Sequence, residues 1–455
     1  MNIRQNFRAL YQRALSSSFL KSVLTLSSGV VVAQGINFLG MPVVGRVYDP
    51  TSMGDYTIIT SNAGVIMSVA CLGMMTVFML PEKDEEARGL TRLVTYSTLL
   101  ITTLAILGLW LCSPFYQIFQ TVETPYILSL LVLWIYIVSY TVSNICYAYV
   151  NRQKLYRVMF WNPIISTGIS VCFGIIFGLL GWGFLGYTAA HILSFLVNIL
   201  HLLHHANPYE RITDPAFHCI PLLKSYRRFP LYQMPANLLS SLSQQIPIQM
   251  LETFYSSTTL GMYSMTQRIL WLPISLLASP INRVYFQEAS HRYSKGEDIG
   301  EFSFKILETN IKAAIPPLVL LILFGEGIFS LFLGEQWREA GSFAAIMCLY
   351  YLISFCSSCI SGGLVILRRN NMSLAFSFLA LFLNVLLLLI VSTFRIDIYP
   401  CLMLISAFDI FRNLWINGLY FKLTGISYRR YFLFNIKYIV LPIGAAWVCR
   451  LLISK

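Results

Sequence analysis

The residues of this chain best suited to chemistry are charged side chains that interrupt long apolar stretches. Arg412 follows Asp409 by three positions, a spacing that lets the two side chains pair on one face of a helix. A guanidinium in such a place can bind phosphate through two parallel hydrogen bonds. In that interpretation Asp409 is the partner that titrates or releases it. The alternative is a structural ion pair between helices in which Arg412 and Asp409 neutralise each other. The sequence leaves both interpretations open.

A second arginine, Arg268, has no acidic residue at helical spacing in its own apolar stretch. An ionisable group inside a membrane helix is costly unless it is paired or faces a hydrated cavity. Its counter-charge must therefore come from another segment, such as Glu252, or from a bound anion. We predict a substrate-binding role for Arg268, with a fixed salt bridge between helices as the alternative.

Two further cations lie near the ends of apolar stretches. Arg46 ends the first stretch, and it suits either phosphate binding or an interfacial anchor paired with Asp49 or Asp55. Lys312 is grouped with Asp409 and Glu252 as a charge partner, although a long lysine near a helix end usually extends its ammonium group to the interface.

Amide side chains lie well inside the first and seventh apolar stretches. Amides suit the hydroxyl groups of sugars, and they also hydrogen-bond across membrane helices as simple structural contacts. Their occurrence in both halves of the chain favours a cavity lining. The predicted residues are Gln34, Asn37, Gln244 and Gln245.

Other reactive residue types point to no metal or catalytic site. Cys356 and Cys359 form a C-x-x-C pair inside an apolar stretch without a second such pair, which favours helix packing over zinc or redox chemistry. Three histidines cluster at the end of the sixth stretch and are assigned to the membrane interface rather than to a metal. They are His201, His204 and His205.

The elements that carry these residues are apolar stretches that recur along the whole chain. Of the 455 residues, 56% are hydrophobic and 11% are charged, whereas about a quarter of a soluble domain is charged. A spanning helix needs about 20 mostly apolar residues. We predict an all-α integral membrane protein with 12–14 transmembrane helices. Thirteen are counted: residues 22–45, 56–79, 93–113, 126–150, 158–180, 183–205, 229–254, 260–286, 309–333, 341–366, 372–394, 399–421 and 435–453.

Basic residues alternate between the two sides of the predicted bundle. Of the 32 lysines and arginines, 24 fall on the side of the N-terminal segment, five on the other side and three inside spans. Because cytoplasmic loops carry the excess of basic residues, the N-terminus is predicted to be cytoplasmic. The net charge of +12 is assigned to these loops and not to nucleic acid. The last span, 435–453, has a short apolar core, and an interfacial position is its alternative.

An internal repeat appears when the sequence is shifted by 207 residues. The shift places Tyr48, Thr51, Gly54 and Tyr56 on Tyr255, Thr258, Gly261 and Tyr263, although Gly and Tyr are common at helix ends and also match by chance. Both stretches join the first and second helix of a set of six. Two parallel six-helix repeats around a central cavity are typical of alternating-access transporters. The predicted regions are a cytoplasmic segment 1–21, a lobe 22–205, a connector 206–228, a lobe 229–424 and an extra C-terminal helix 425–455.

Several stretches resemble bacterial oligosaccharide flippases of the Wzx type, within the multidrug/oligosaccharidyl-lipid/polysaccharide exporter superfamily. The resemblance covers roughly residues 20–370, and the family often has twelve spans, so a thirteenth is a departure. Its clearest part is the spacing of Arg46, Pro50 and Gly54. The stretches are GVVVAQGINFLGMPVVGRVYDPTSMGDY (Gly29–Tyr56), NRQKLYR (Asn151–Arg157), FPLYQMPANLLSSLSQQIPI (Phe229–Ile248), GMYSMTQRILWLP (Gly261–Pro273) and FLGEQWREAG (Phe332–Gly341).

The resemblance implies a MATE-like fold and a flippase activity. Such a protein moves undecaprenyl-diphosphate-linked oligosaccharide repeat units from the cytoplasmic to the periplasmic leaflet of a bacterial inner membrane, for O-antigen or capsule assembly. It implies no bound cofactor, and coupling to a proton or sodium gradient with the ion left open. The implied partners are the lipid-linked oligosaccharide, membrane lipids, a polysaccharide polymerase and a chain-length regulator. A diphosphate with a glycan calls for a hydrated, mostly cationic cavity.

Two other functions are weighed against the flippase. A drug or small-molecule exporter of the same superfamily shares the fold, but arginines inside spans favour an anionic substrate. A membrane glycosyltransferase needs a long extracytoplasmic loop, whereas the outer connectors are as short as Gly181–Gly183 and Ser256–Thr259. No G-x-x-x-x-G-K-[ST] motif is present for an ATP-driven pump. We therefore predict a transporter and not an enzyme.

Overall fold

The computed structural model describes residues 18–114, 124–210, 212, 214, 217–367 and 369–453, and these form helices joined by turns and short loops. Most of the predicted N-terminal segment and the basic residues Arg211, Arg368 and Lys455 lie outside the described residues. The α-helices are α1 (Ser18–Val47), α2 (Pro50–Ala70), α3 (Asp84–Leu111), α4 (Tyr126–Arg152), α5 (Tyr156–Leu179), α6 (Gly183–His205), α7 (Cys219–Ser225), α8 (Met234–Phe254), α9 (Ser257–Pro273), α10 (Ser279–Ser294), α11 (Gly300–Leu333), α12 (Arg338–Cys359), α13 (Gly363–Ile366), α14 (Asn370–Phe394), α15 (Ile398–Leu423), α16 (Tyr428–Asn435) and α17 (Leu441–Ile453).

The helices confirm the predicted class of an all-α membrane protein. Among the described residues, ten helical segments are long and apolar enough to cross a membrane. Every one of the thirteen predicted cores falls on a helix. Three of those cores, on α2, α8 and α15, lie outside the set of ten. The count of thirteen therefore stays a prediction.

Three helices widen by a π turn at the same place relative to a proline. The π segments Phe229–Gln233, Ile274–Ala278 and Ile436–Val440 each end two residues before a proline. Those prolines are Pro235, Pro280 and Pro442. Proline lacks an N–H and its ring clashes with the carbonyl four residues earlier. That carbonyl is the central one of each π segment, so the extra residue relieves the clash and bends the helix.

The described chain forms two compact units. Unit 1 comprises Met1–Tyr48 and Ile59–Ser241, and unit 2 comprises Asp49–Ile58 and Leu242–Lys455. The first turns of α2 thus belong to unit 2, while the rest of that helix belongs to unit 1. The lobe limits predicted from the sequence, 22–205 and 229–424, stay predictions.

In unit 1, α1 and α6 pack on either side of α5. Polar side chains join α5 to α6 inside the bundle: Asn162 Nδ2 donates to Asn198 Oδ1 at 3.1 Å, and the hydroxyl oxygens of Ser166 and Ser194 are 2.7 Å apart. The hydroxyl of Tyr48, at the end of α1, donates to the carbonyl of Gly174 on α5 at 2.6 Å. These contacts hold α1 and α6 against α5.

The connector between α6 and α8 is held against the first turns of α3. Arg92 Nη2 donates to the carbonyl oxygens of Tyr209 at 3.0 Å and Glu210 at 2.7 Å. The hydroxyl of Tyr226 donates to Glu86 Oε1 at 3.0 Å. Burial, followed by the neighbouring Glu86 carboxylate, raises the pKa of Tyr226 to about 12, so this hydroxyl keeps its proton at neutral pH.

In unit 2, α12 is the central helix. Its Gly341 and Gly325 of α11 approach so closely that a Cβ on either would meet the other's backbone. On another face, Asn417 Nδ2 of α15 donates to Ser357 Oγ at 2.8 Å. Thr266 Oγ1 of α9 donates to the Ala340 carbonyl at 2.9 Å. Helices α9, α11 and α15 therefore all pack on α12.

The C-terminal helices run alongside α11 in the same direction as α11. The Lys312 ammonium lies 4.9 Å from the ring centroid of Tyr438, and further along Arg450 donates to Glu326 Oε1 at 2.7 Å. Segment Tyr428–Arg450 is long and apolar enough to cross a membrane. Its course along α11 favours the spanning interpretation over the interfacial one.

Candidate functional site

A cavity of about 380 Å³ opens on unit 1 between α2, α4 and α8. Each helix contributes residues three or four positions apart, which places them on one face. Methionine side chains form the apolar part of the wall, and amides and hydroxyls form the polar part. The lining consists of Gly64, Met67, Ser68, Cys71, Gly73, Met75, Tyr140, Thr141, Asn144, Asn237, Ser240 and Ser241.

A second cavity of about 280 Å³ lies next to the first along the same stretch of α4, between α1, α4, α5 and α6. It too is lined by amides, hydroxyls and aromatic rings. The lining consists of Val30, Tyr140, Ser143, Asn144, Tyr147, Asn162, Pro163, Ser166, Thr167, Phe195 and Asn198. Of the described residues, those lining either cavity carry no formal charge.

Tyr140 and Asn144, one turn apart on α4, border both cavities. The Tyr140 ring is parallel to that of Tyr136 at 6.3 Å and edge-on to that of Phe195 at 5.2 Å. These neighbours set the ring's orientation, yet 37% of the residue stays exposed. Asn144 Nδ2 donates to the Tyr140 carbonyl at 2.9 Å. That bond leaves the Asn144 Oδ1 atom as an acceptor.

The hydrogen bonds around the first cavity orient its polar groups. Gln233 Nε2 donates to Asn237 Oδ1 at 2.9 Å, which leaves the Asn237 amide N–H groups as donors. The Thr141 hydroxyl oxygen is buried, and no nitrogen or oxygen of the described residues hydrogen-bonds to it. Its neighbour is the thiol of Cys71. Neutral donors and acceptors of this kind match a neutral polyhydroxyl ligand better than an ion.

In unit 2 the predicted pair on α15 is present. Arg412 Nη2 lies 2.8 Å from Asp409 Oδ1, and the two side chains are 25% and 21% exposed. The next residue, Asn413, donates from Nδ2 to the Asp409 carbonyl at 2.9 Å. The i, i+3 geometry inferred from the sequence is therefore correct.

Arg268 lies on α9 with its guanidinium carbon 5.1 Å from the ring centroid of Tyr56. An arginine on a tyrosine face gains a cation–π attraction. The predicted partner Glu252 is buried at 3% exposure, and Gln249 Nε2 donates to its Oε2 atom at 2.7 Å. A contact between Glu252 and Arg268 stays a prediction.

The remaining predicted residues are spread over both units. Arg46, exposed at the end of α1, donates to the Pro42 carbonyl at 3.0 Å. Lys312 lies 2.5 Å from Glu308 Oε1 and is half exposed, as expected for a lysine near a helix end. The four predicted amides lie on α1 and α8: Gln34, Asn37 and Gln245 are partly buried and Gln244 is exposed. None of the residues predicted from the sequence lines either cavity among the described residues.

The cysteine and histidine motifs occupy the positions expected of helix packing and helix ends. Cys356 and Cys359 are buried in the last turns of α12. The rings of His201 and His205 lie 4.8 Å apart at the end of α6. Among the described residues, no group of three metal-ligating side chains comes together.

Sequence reasoning missed the lining of the two cavities. A signal was present in α4, where Tyr140, Thr141, Ser143 and Asn144 place four polar residues in the middle of an otherwise apolar span. Hydroxyls and amides cost less free energy in a membrane helix than charged groups do, so this cluster is a weaker sequence signal of a site than the arginines are.

The sequence model of a family described as polysaccharide biosynthesis proteins matches residues 43–342. That match covers more than half of the chain. The chain belongs to this family. A search of curated proteins by sequence finds no match.

Solved structures with the same fold are transporters. A lipid II flippase, MurJ, in an inward closed conformation has a TM-score of 0.70 at 13% identity, with 92% of each chain covered. An inward-facing multidrug resistance MATE transporter of the MOP superfamily has a TM-score of 0.57 at 13% identity, with 90% of this chain and 95% of that chain covered. A MOP superfamily transporter from Pyrococcus furiosus has a TM-score of 0.51 at 15% identity, with coverage of 91% and 96%.

At these identities the likeness establishes the fold. The family and the fold together confirm the resemblance stated from the sequence, and with it the MATE-like architecture. The chain is a multi-pass membrane protein of the polysaccharide biosynthesis family.

Proposed function

We propose that this protein is a flippase for undecaprenyl-diphosphate-linked oligosaccharide repeat units. It moves them by alternating access from the cytoplasmic to the periplasmic leaflet of a bacterial inner membrane, where they feed O-antigen or capsule assembly. The observation that carries the proposal is the placement of Arg268 and Arg412, partly exposed, on helices of a membrane protein from a polysaccharide biosynthesis family.

The arginines meet the main physical difficulty of this transport. A diphosphate cannot sit unpaired in hydrocarbon, because an isolated charge there is strongly unfavourable. Arg268 on its tyrosine ring and Arg412 beside Asp409 are cations held in place by neighbours, and a guanidinium binds phosphate through two parallel hydrogen bonds. Asp409 then serves to hold Arg412 when no phosphate is bound.

The orientation follows from the sequence, and the energy source follows from the resemblance to the flippase family. The 24 basic residues on one side support a cytoplasmic N-terminus. The energy source is a proton or sodium gradient, with no bound cofactor. A polysaccharide polymerase and a chain-length regulator act on the exported units.

The direct test is deletion of the gene in the native host, followed by analysis of surface glycan and lipid-linked intermediates. We expect loss of surface polymer together with accumulation of single repeat units on the cytoplasmic leaflet. Restoration by the wild-type chain from a plasmid is the control. Normal surface glycan in the deletion strain would contradict the proposal.

A second candidate, a small-molecule exporter, is favoured by one observation, the fold shared with a multidrug resistance MATE transporter. It predicts that the deletion strain keeps its surface glycan and becomes more sensitive to cationic drugs. The same strain therefore separates the two functions.

A further inference from the structure

We infer that unit 1 contains a glycan-binding subsite centred on Tyr140 and Asn144, in which two adjacent sugar residues occupy the two cavities. The inference rests on the proposed function, because it assigns the sugar part of that substrate to a place in the fold.

The chemistry of the lining points to neutral sugars. Both walls consist of hydroxyls, amides, small apolar groups and aromatic rings. A cationic drug would need a carboxylate, and a phosphate would need an arginine or lysine. Sugar hydroxyls both donate and accept, as do the amides and hydroxyls of the lining.

The aromatic ring supplies the second element of sugar recognition. The C–H face of a pyranose packs on an aromatic ring, whose face is negative. Tyr140 offers such a ring at the border of both cavities, and Tyr136 and Phe195 hold it in place. A ring fixed before the ligand arrives loses little entropy on binding.

The walls of both cavities also carry polar groups that can bind sugar hydroxyls. In the first cavity, Asn237 presents N–H donors because Gln233 occupies its oxygen. The buried Thr141 hydroxyl lies in the same wall with a thiol as its neighbour. In the second cavity, Asn162 and Asn198 form an amide pair. Asn144 lines both cavities, and its hydrogen bond to the Tyr140 carbonyl uses Nδ2 and leaves Oδ1 as an acceptor.

The size of the cavities suits two consecutive sugars better than one. The range of ligand pockets is roughly 300–1,000 Å³, so the cavity of about 380 Å³ is at its small end and the cavity of about 280 Å³ lies just below it. The two cavities share Tyr140 and Asn144 of α4. A glycosidic linkage passing these two residues would place one sugar ring in each cavity.

The test compares two probes on the purified full-length chain in detergent. One probe is the undecaprenyl-diphosphate-linked repeat unit extracted from the deletion strain, and the other is undecaprenyl diphosphate alone. We expect the wild-type chain to bind the glycan-bearing probe more tightly. Tyr140→Ala and Asn144→Ala should each weaken that binding about tenfold and leave undecaprenyl diphosphate binding unchanged.

Further variants separate a binding role from a folding defect. Tyr140→Phe keeps the ring and should retain most of the affinity. Asn237→Ala alters the first cavity alone and should weaken glycan binding less than Asn144→Ala. Tyr96→Ala, an equal truncation of a 59% exposed tyrosine on α3, is the control and should bind both probes as the wild type does.

The outcomes distinguish the two proposals. If the wild-type chain prefers the glycan-bearing probe and the Tyr140 and Asn144 variants keep that preference, the subsite is wrong and the proposed function stands. If the wild-type chain binds neither probe, the proposed function fails and the subsite fails with it. If the wild-type chain prefers the glycan-bearing probe and the Tyr140 and Asn144 variants lose that preference, both the subsite and the proposed function are supported.

Discussion

Thr51 and Thr258, which are 207 positions apart, face each other with 2.8 Å between their hydroxyl oxygens. The separation equals the offset of the internal repeat, so each threonine contacts its own repeat equivalent. The neighbouring contacts are reciprocal as well. A Cβ on Gly54 would collide with the Ser257 carbonyl, and a Cβ on Gly261 would collide with the Pro50 carbonyl.

These contacts define a local two-fold relation between the starts of α2 and α9. Pro50 and Ser257 are themselves 207 positions apart, so the two glycine contacts exchange when the repeats are exchanged. Only glycine allows backbones to approach this closely, as in small-residue crossings of membrane helices. The motif that revealed the repeat in the sequence is therefore the motif that packs against its own copy.

The crossing can be tested by a disulfide. Thr51→Cys with Thr258→Cys should form a disulfide readily, because the two hydroxyl oxygens are already in contact and an S–S bond is about 2 Å long. With a protease site placed in the connector 206–228, the two halves should stay together after cleavage until a reductant is added. Each single variant is the control for the native cysteines. Separation of the halves without reductant would contradict the crossing.

The glycines of the crossing should be intolerant of alanine. Gly261→Ala forces the Pro50 carbonyl to move, and overpacking of this kind costs about 1–3 kcal/mol. We expect a lower melting temperature for the purified protein in detergent. Gly327→Ala in α11 is the matched control, because a Cβ there meets no atom. Alanine favours a helix over glycine, so that variant should melt at or above the wild-type temperature.

The fold was largely predictable because its signals are local. An apolar stretch of about 20 residues identifies a membrane helix without knowledge of its neighbours. The Arg412–Asp409 pair followed from its i, i+3 spacing within one helix. The position of the last helix along α11 did not follow, because it depends on Arg450 and Tyr438 meeting α11 more than a hundred residues earlier in the chain.

The two cavities were not predictable, because they depend on how helices from distant parts of the chain meet. Asn144 and Asn237 are 93 positions apart, and nothing in either segment indicates that they share a wall. Gln34 and Gln245 have the same chemical character and were predicted because amides occur inside the leading helices of both halves. Repeat position is a weaker guide than the packing face, which only the assembled helices define.

The two interpretations of the Arg412–Asp409 pair predict different behaviour of a double variant. Arg412→Ala should reduce glycan export at least tenfold, because a charged hydrogen-bond donor to the diphosphate is lost. A purely structural pair would be restored by Asp409→Asn with Arg412→Gln, which keeps a neutral hydrogen bond. The proposed function expects this double variant to reach the membrane in normal amount and still fail to export. Recovery of export would assign the pair to structure alone.

Glycan export should depend on the planar shape of the Arg268 guanidinium as well as on its positive charge. Arg268→Ala should abolish export while leaving the protein in the membrane. Arg268→Lys keeps the charge but loses the planar fork that binds a phosphate through two hydrogen bonds, so we expect intermediate export. Surface polymer and membrane abundance are measured together. Lys295→Ala is the control, because it removes one charge at the end of α10, and it should export normally. Normal export by Arg268→Ala would contradict a substrate-binding role for Arg268.

The last helix should depend on Arg450 for its position along α11. Its guanidinium donates to the Ile322 carbonyl at 3.1 Å, to Glu326 Oε1 at 2.7 Å and to Ser342 Oγ at 3.1 Å, and its side chain is 17% exposed. Arg450→Ala removes these three hydrogen bonds, one of them to a carboxylate, at a cost of about 1–3 kcal/mol, although Ser342 Oγ still donates to Glu326 Oε1. The protein should therefore melt at a lower temperature in detergent. Arg338→Ala is the control, because the Arg338 side chain is 52% exposed in its ion pair with Glu335. Exposed ion pairs contribute about 0–1 kcal/mol, so this variant should melt as the wild type does. Equal melting temperatures for Arg450→Ala and the wild type would mean that apolar packing alone holds the helix.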